Sequence, residues 1–250
     1  MSGHSKWATI KHKKAATDAK RGRVFTRLIR EIAIAARGGT DPNTNARLRT
    51  AISAAKGENM PGDNIERAIL RGSGQLEGEQ LDEITFEGYG PGGVAMLVQV
   101  VTNARNRTVA EIRHAFGKNG GNMAEAGAVG WMFKRKGEIA VPKDLAEEDK
   151  IMSIVLDAGA EDLQDGGSAW EIVTPPEAFE AVRDALVNAG MKPESAEIGM
   201  VPNSYIKLTG PQVGQMIRLM ESIEEQDDVQ HVYANFDIDE SEIQAAVGAN

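Results

Sequence analysis

Asp82-Glu83-Ile84-Thr85-Phe86-Glu87-Gly88-Tyr89-Gly90-Pro91-Gly92-Gly93-Val94-Ala95-Met96-Leu97-Val98-Gln99-Val100-Val101-Thr102 is the stretch on which the fold turns. Two runs of strand composition flank a cluster of glycines and one proline. The pattern predicts a strand over 82–88, a turn, and a strand over 93–102. Before Leu81 the apolar residues recur at helical spacing and after it they do not, so the chain changes class here. Thr108 and Glu111 have the spacing of a capping box, which predicts a helix over 109–119 burying Val109, Ile112 and Phe116. A strand over 129–135 then completes a β-α-β unit.

Working downstream, the pattern gives a strand over 137–141 and a helix near 147–158 with Ile151, Ile154, Val155 and Ala158 on one face. Strands over 161–164 and 169–173 follow. Thr174 as cap and Pro175 at the first helical position predict a helix that buries Phe179, Val182 and Leu186, and a strand over 195–201 closes a βαββαβ segment. A last β-α-β comprises a strand over 204–208, a helix over 211–225 with Val213, Met216, Ile217 and Met220 inward, and a strand over 229–236. The β-α-β before residue 137 and the one after residue 203 together make a second βαββαβ, with the first inserted between its halves.

Upstream, Phe25, Leu28, Ile29, Ile32, Ala33 and Ala36 form an apolar stripe at helical period, with Arg23, Arg27, Arg30 and Arg37 on the far side. A loop at Gly38-Gly39-Thr40-Asp41-Pro42 leads to a helix with Leu48, Ile52 and Ala55 inward and Arg47, Arg49 and Lys56 outward. Pro61 and Gly62 break it. Asp63 and Glu66 have capping-box spacing for a short helix carrying Arg67 and Arg71 outward, and Gly72 ends it. The expected fold is α+β and multidomain. A helical domain spans 1–76, a discontinuous ferredoxin-like α+β domain spans 77–136 and 203–240, and a second ferredoxin-like α+β domain is inserted over 137–202.

Charge is segregated along this architecture. Residues 1–76 hold 15 Lys and Arg against 6 acids, a net of +9, whereas residues 77–250 hold 13 against 31, a net of −18. The density peaks in the first 37 residues, where ten cations meet only Asp18 and Glu31. Clustered Lys and Arg neutralise phosphates and release counterions, so the pattern is the footprint of a polyanion binder. The candidate nucleic-acid contacts are Lys6, Trp7, Lys11, His12, Lys13, Lys14, Lys20, Arg21, Arg23, Arg27 and Arg30. A removable targeting peptide has no need of the packed apolar face that this segment carries. Asn103-Ala104-Arg105-Asn106-Arg107-Thr108 is a compact basic spot outside the helical domain, placed between a strand end and a helix N-terminus. Arg105 and Arg107, with Tyr89 read as exposed on the glycine turn, form a candidate secondary surface; at about 3.3 Å per residue the intervening strand holds the two places roughly 30 Å apart.

Several function classes fall away. The chain has no cysteine, which removes disulfides, thiolate nucleophiles and Cys-type zinc sites and suits a reducing cytoplasm. No apolar run approaches the roughly 20 residues that span a bilayer. Gly88-Tyr89-Gly90-Pro91-Gly92-Gly93 satisfies G-x-G-x-x-G, but a strand follows where a dinucleotide site needs a helix. His4, His12, His114 and His231 lack ligand spacing for a metal. The acidic runs Glu147-Glu148-Asp149 and Glu224-Glu225-Gln226-Asp227-Asp228 fall at helix ends and read as solvated. No cofactor, small-molecule substrate or catalytic grouping is expected, and oligomeric state is not encoded in any pattern of the chain.

Gly3-His4-Ser5-Lys6-Trp7, Ile10-Lys11-His12-Lys13-Lys14, Asn59-Met60-Pro61, Asp63-Asn64-Ile65-Glu66-Arg67-Ala68-Ile69, Glu87-Gly88-Tyr89-Gly90-Pro91-Gly92-Gly93 and Asn106-Arg107-Thr108 closely resemble the YebC/PmpR family. That family is named for probable transcriptional regulators and includes a mitochondrial translational activator. The resemblance starts at Ser2 and runs nearly to the C-terminus, which argues against a transit peptide. It implies a non-catalytic cytoplasmic protein of three domains that binds promoter DNA, or ribosomal RNA within the ribosome where some members assist translation of proline runs. The family reads T-D-N before the Arg-Asn-Arg-Thr stretch; here Thr102 is followed by Asn103 and Ala104, so the roles of that acid and amide are not carried over.

Overall fold

The computed structural model describes residues 19–78, 80–239, 241–243 and 246. They form two compact units. One comprises the described residues up to Ala126 with Gly214–Val232, and the other Gly127–Val213 with the described residues from Tyr233 onward.

The first unit opens with three helices, α1 (Ala19–Ala36), α2 (Ala46–Gly57) and α3 (Gly62–Gly72). Ile32, Ala35 and Ala36 pack on Leu48, Ala51, Ala55, Ile65 and Ala68, with Phe25, Leu28 and Ile29 at the margin, which is the stripe that helical spacing indicates. Burial goes further than a stripe. Residues 32–36 are all enclosed, so the last turns of α1 are covered on every side. Asn45 starts α2 by accepting from Leu48 N at 3.0 Å, and its amide donates to Ala35 O at 2.7 Å. That cap escaped the sequence reading. The expected capping box at Asp63 does not form: α3 already begins at Gly62 behind Pro61, so Asp63 lies inside the first turn, where it favours the helix dipole instead.

β1 (Asp82–Tyr89) and β2 (Ala95–Thr102) make the expected antiparallel hairpin, registered from Asp82 opposite Thr102 to Tyr89 opposite Ala95. Gly92 and Gly93 shape its turn at φ 74° and 80°, conformations that only glycine adopts without penalty. α4 (Arg105–Lys118) and the two-residue β3 (Asn122–Met123) follow. α4 starts at Arg105 rather than at 109, which puts Arg105 and Arg107 in a helical turn instead of a loop.

In the second unit the chain runs β4 (Phe133–Pro142), α5 (Glu148–Asp157), β5 (Asp162–Asp165), β6 (Ala169–Thr174), α6 (Phe179–Asn188) and β7 (Ser195–Pro202). The strand order β5-β6-β4-β7, with every neighbouring pair antiparallel, is that of a ferredoxin-like unit. Ile151, Val155, Phe179, Val182 and Leu186 of the helices cover Ile139, Val141, Trp170 and Ile172 of the sheet. α6 begins later than the expected Thr174 cap, because Thr174 remains the last residue of β6, opposite Gly137. The strands expected over 129–135 and 137–141 are one. Residues 130–132 form a single 3-10 turn, and β4 then passes unbroken through Gly137, where a Cβ would stand 2.3 Å from Thr174 Oγ1. Glycine permits close packing there; it does not break the strand.

β8 (Ile206–Leu208), α7 (Pro211–Glu224), β9 (Val229–Ala234) and β10 (Phe236–Ile238) complete the chain. β9 joins β2, so the first sheet reads β3-β1-β2-β9, while β8 and β10 pair in parallel by themselves. The outer strands of the first sheet are β3 and β9; of the strands expected in this domain, 229–236 joins it as β9, whereas 204–208 pairs with β10 and 129–135 is absorbed into β4 of the other sheet. The expected strand over 229–236 is divided at Asn235, whose carbonyl accepts from Ile206 N at 2.7 Å. The class is α+β, with a helical N-terminal part and two four-stranded sheets.

The packing of α3 on α1 is testable at Gly72, where a Cβ would stand 2.1 Å from Ala33 O. Gly72→Ala is expected to cost about 2–3 kcal/mol, as overpacking of a close contact does. Urea denaturation measures it, and a change within about 0.5 kcal/mol, the range of ordinary surface substitutions, would contradict the close approach.

Candidate nucleic-acid interface

Lys6, Trp7, Lys11, His12, Lys13 and Lys14 lie outside the described residues, and Lys20 and Arg21 belong to the first turn of α1. The structure places the remaining candidates, and it gives them partners. Arg23, Arg27 and Arg30 follow one face of α1 at spacings of four and three. Arg23 Nη1 donates to Glu225 O at 3.5 Å, Arg27 Nη2 donates to Glu224 O, and Arg30 Nη1 donates to Asp227 O at 2.5 Å. These carbonyls end α7 and line the turn after it, where helical geometry leaves acceptors without intrahelical partners and partial negative charge accumulates. Burial lowers the pKa of the Arg27 guanidinium from its ordinary value, and the charge of Glu224 opposes that shift.

Asp228 is the centre of this region. Its residue is 2% exposed. Arg30 Nη1 lies 2.9 Å from Oδ1, and Arg107 Nη2 lies 2.9 Å from Oδ2. Thr102 Oγ1 and Thr108 Oγ1 lie 2.9 and 2.6 Å from Oδ2. Burial by itself would raise this carboxyl, but hydrogen bonds from Thr108, Arg107 and Thr102, with the charge of Arg30, hold it below the usual carboxylate range. The acidic run at 224–228 is thus not simply solvated. Nothing in local spacing separates Asp228 from its neighbours Glu224, Glu225 and Asp227, and its partners are far away in sequence. Thr108, read from sequence as a helix cap, is fully buried inside the first turn of α4, where its hydroxyl meets Asp228.

Arg47 of α2 makes a second tie, with Nε 2.8 Å from Glu31 of α1 and Nη2 2.7 Å from Glu83 of β1. The Glu83 hydrogen bond is the largest cause raising its pKa. Other cations are differently placed. Lys56, Arg67 and Arg71 on α2 and α3 are exposed and form no ion pair among the described residues.

The candidate secondary surface divides. Arg105 is exposed without a partner among the described residues, whereas Arg107 pairs with Asp228 while remaining 53% exposed. Tyr89 is half-buried, not exposed: it ends β1 with Ala95 of β2 on one side and Asn122 of β3 on the other. Tyr89 and Arg105 stand at opposite ends of the hairpin. Gly88 is a close-approach position, since a Cβ there would lie 2.8 Å from the Phe116 ring and from Asn122 O. The glycine motif leads into β2 through one 3-10 turn, so it does not itself open an α-helix as a dinucleotide site requires. Among the described residues no group of three or more His, Cys, Asp or Glu is arranged to hold a metal, and no helix is long and apolar enough to cross a membrane.

Comparison with known proteins gives this arrangement a family. The profile of the TACO1/YebC protein N-terminal domain matches residues 5–75, and that of the TACO1/YebC second and third domain matches residues 81–236. The chain belongs to the TACO1/YebC family. It is 62% identical over 248 residues to a protein of Koribacter versatilis named a probable transcriptional regulatory protein, covering 99% of this chain and 100% of that one. A protein of the same description from Acidobacterium capsulatum is 60% identical over 242 residues, 97% of this chain and 98% of its own. The crystal structure of a conserved hypothetical protein from Aquifex aeolicus superposes with a TM-score of 0.79 at 47% identity, covering 89% of this chain and 93% of that one.

Two substitutions test the Asp228 region. Asp228→Asn is expected to cost about 3 kcal/mol, because Arg30 loses its counter-charge in a buried setting. The pKa of Asp228 is lower folded than unfolded, so the unfolded chain binds the proton first. The stabilisation is complete above about pH 5 and is lost as pH falls through the lower folded value. The variant should therefore lose less stability than the parent between about pH 5 and pH 2, and parallel pH profiles would contradict the assignment. Ala104 occupies the N-cap of α4 without a side-chain cap, so Ala104→Asn should stabilise by about 1 kcal/mol in thermal melts.

Proposed function

We propose that the protein is a non-catalytic, nucleic-acid-binding regulator of gene expression, a DNA-binding transcriptional regulator of the YebC/PmpR type. The observation that carries this reading is charge segregation, with +9 in residues 1–76 against −18 in the remainder. The names of the Koribacter and Acidobacterium relatives agree with it. Affinity is assigned to Lys6, Lys11, Lys13, Lys14, Lys20 and Arg21 through phosphates, with Trp7 and His12 adding stacking or hydrogen-bonding contacts. Exposed Lys56, Arg67 and Arg71 add to the positive charge of residues 1–76. Arg23, Arg27 and Arg30 contribute from α1 while anchored on the end of α7, and Arg105, exposed and without a partner among the described residues, supplies a cation of the secondary surface.

A second reading places the same basic segment on ribosomal RNA, in a translation factor that relieves stalling. The strongly negative remainder of the chain favours it, because such a body is repelled along a duplex but orients a basic arm toward structured RNA. Crosslinking from growing cells separates the two readings by whether promoter DNA or ribosomal RNA is recovered.

If roughly 4 to 6 arm cations touch phosphate, log K should fall with log salt at a slope of about −3 to −5. Replacing Lys11, Lys13 and Lys14 together by Ala should flatten that slope by about 2 to 3 and weaken all sequences alike. Arg30→Ala should instead lower the melting temperature. A salt-independent affinity in the parent would sink the phosphate mechanism.

A further inference from the structure

Trp131 is 73% exposed, whereas Trp170 is 8% exposed in the core of the second sheet. A large aromatic ring held in water needs a reason. We propose that Trp131, with Lys134 and Arg135, is a stacking platform for an unpaired RNA base and its flanking phosphate. This rests on reading the chain as a nucleic-acid-binding regulator, and it adds a contact in the part of the chain whose net charge is negative.

The ring is fixed and its polar handle is occupied. Indole Nε1 donates to Ala128 O at 3.1 Å, inside its own turn. The turn is itself pinned, because Asn203 Nδ2 donates to Trp131 O at 3.4 Å and Asn203 N donates to Met132 O at 2.8 Å. What remains to offer is a rigid π face, which selects a flat partner. An aromatic anchor for a protein pocket would present its indole N–H to the partner, and here that group is already taken by Ala128 O.

The charge beside the ring selects the rest of the ligand. Lys134 and Arg135 are exposed and form no ion pair among the described residues, while neighbouring Lys136 is held by Glu161. Residues 127–137 contain no acid. Successive strand side chains point to opposite faces, so Lys134 and Arg135 offer a cation on each face of β4, three and four residues along the chain from Trp131. An aromatic face beside a cation, without hydrogen-bonding specificity, is the arrangement that binds single strands by stacking and phosphate contact. Duplexes keep their bases stacked internally, whereas RNA loops and ends present unstacked bases, which commits the platform to RNA.

The test measures fluorescence anisotropy of labelled oligonucleotides of about 12 nucleotides with the full chain, using single-stranded uridine RNA and duplex DNA. Trp131→Ala should weaken the single strand by about 5- to 100-fold and change duplex affinity by less than about twofold. Trp131→Phe, which keeps a ring, should retain most of the single-strand affinity. Replacing Lys134 and Arg135 together by Ala should reduce the single-strand salt slope by about 1. Equal single-strand affinity for parent and Trp131→Ala, or equal losses on both probes, overturns the platform and leaves the regulatory reading intact. A parent that binds neither probe overturns both. Loss of a co-purifying protein in Trp131→Ala with unchanged RNA affinity marks a protein contact and also overturns it.

Discussion

The buried carboxylate of Asp228 is the constraint on which the first unit depends. A carboxylate at 2% exposure is unfavourable unless its charge and lone pairs are met. Here Arg107 and Thr108 from α4 and Thr102 from β2 hydrogen-bond to Oδ2, and Arg30 from α1 faces Oδ1 as counter-charge, although Oδ1 has no hydrogen bond. One side chain therefore fixes the basic helix, the start of α4 and the end of the hairpin together. An apolar residue at 228 would leave the largely buried Arg30 without this counter-charge, which is the strongly destabilising way to break such a group, while Arg107 would keep Glu111 at 3.8 Å. A whole-set replacement would be needed to remove it cheaply, and that gives the arrangement geometric specificity more than raw stability.

The same interaction changes the meaning of the basic face of α1. A run of arginines at helical spacing reads as a surface for a polyanion, and the end of α7 is a weak polyanion of its own. Its last carbonyls carry partial negative charge, and Glu224, Asp227 and Asp228 lie among them. Arg23, Arg27 and Arg30 satisfy acceptors that would otherwise need water. Positive charge thus serves two purposes in one segment, structural cement on α1 and a solvated field on Lys56, Arg67 and Arg71.

What was legible in the sequence follows from how local each signal is. The β1–β2 hairpin was legible because its turn is decided by glycine and proline within six residues, and the βαββαβ order of β4–β7 because each element carries its own period. Helix starts were not. Thr108, Thr174 and Asp63 all sit where a cap would sit, but Thr108 is claimed by Asp228, Thr174 by β6, and Asp63 by a turn already begun at Gly62. Gly88 was read as the start of a turn and Gly137 as the first residue of a separate strand, yet at both another group passes within 3 Å of where a Cβ would be. Of the candidate interface, the charge segregation was plain from the chain. The partners of Arg23, Arg27 and Arg30 lie 202, 197 and 197 residues away, beyond any pattern of spacing.

Segregation of charge also sets how far the field reaches. At physiological salt the Debye length is about 8 Å, so a phosphate backbone senses only the charges near its path. The sum of −9 over the whole chain consequently says little about affinity, whereas the local +9 and −18 say a great deal. A polyanion approaching the acidic part meets repulsion at short range, and one approaching the basic part meets attraction at the same range. Lowering the salt lengthens both fields together, so the discrimination between the two ends survives while the strength of binding changes. Orientation is therefore the more robust product of this charge distribution, and affinity the more adjustable one.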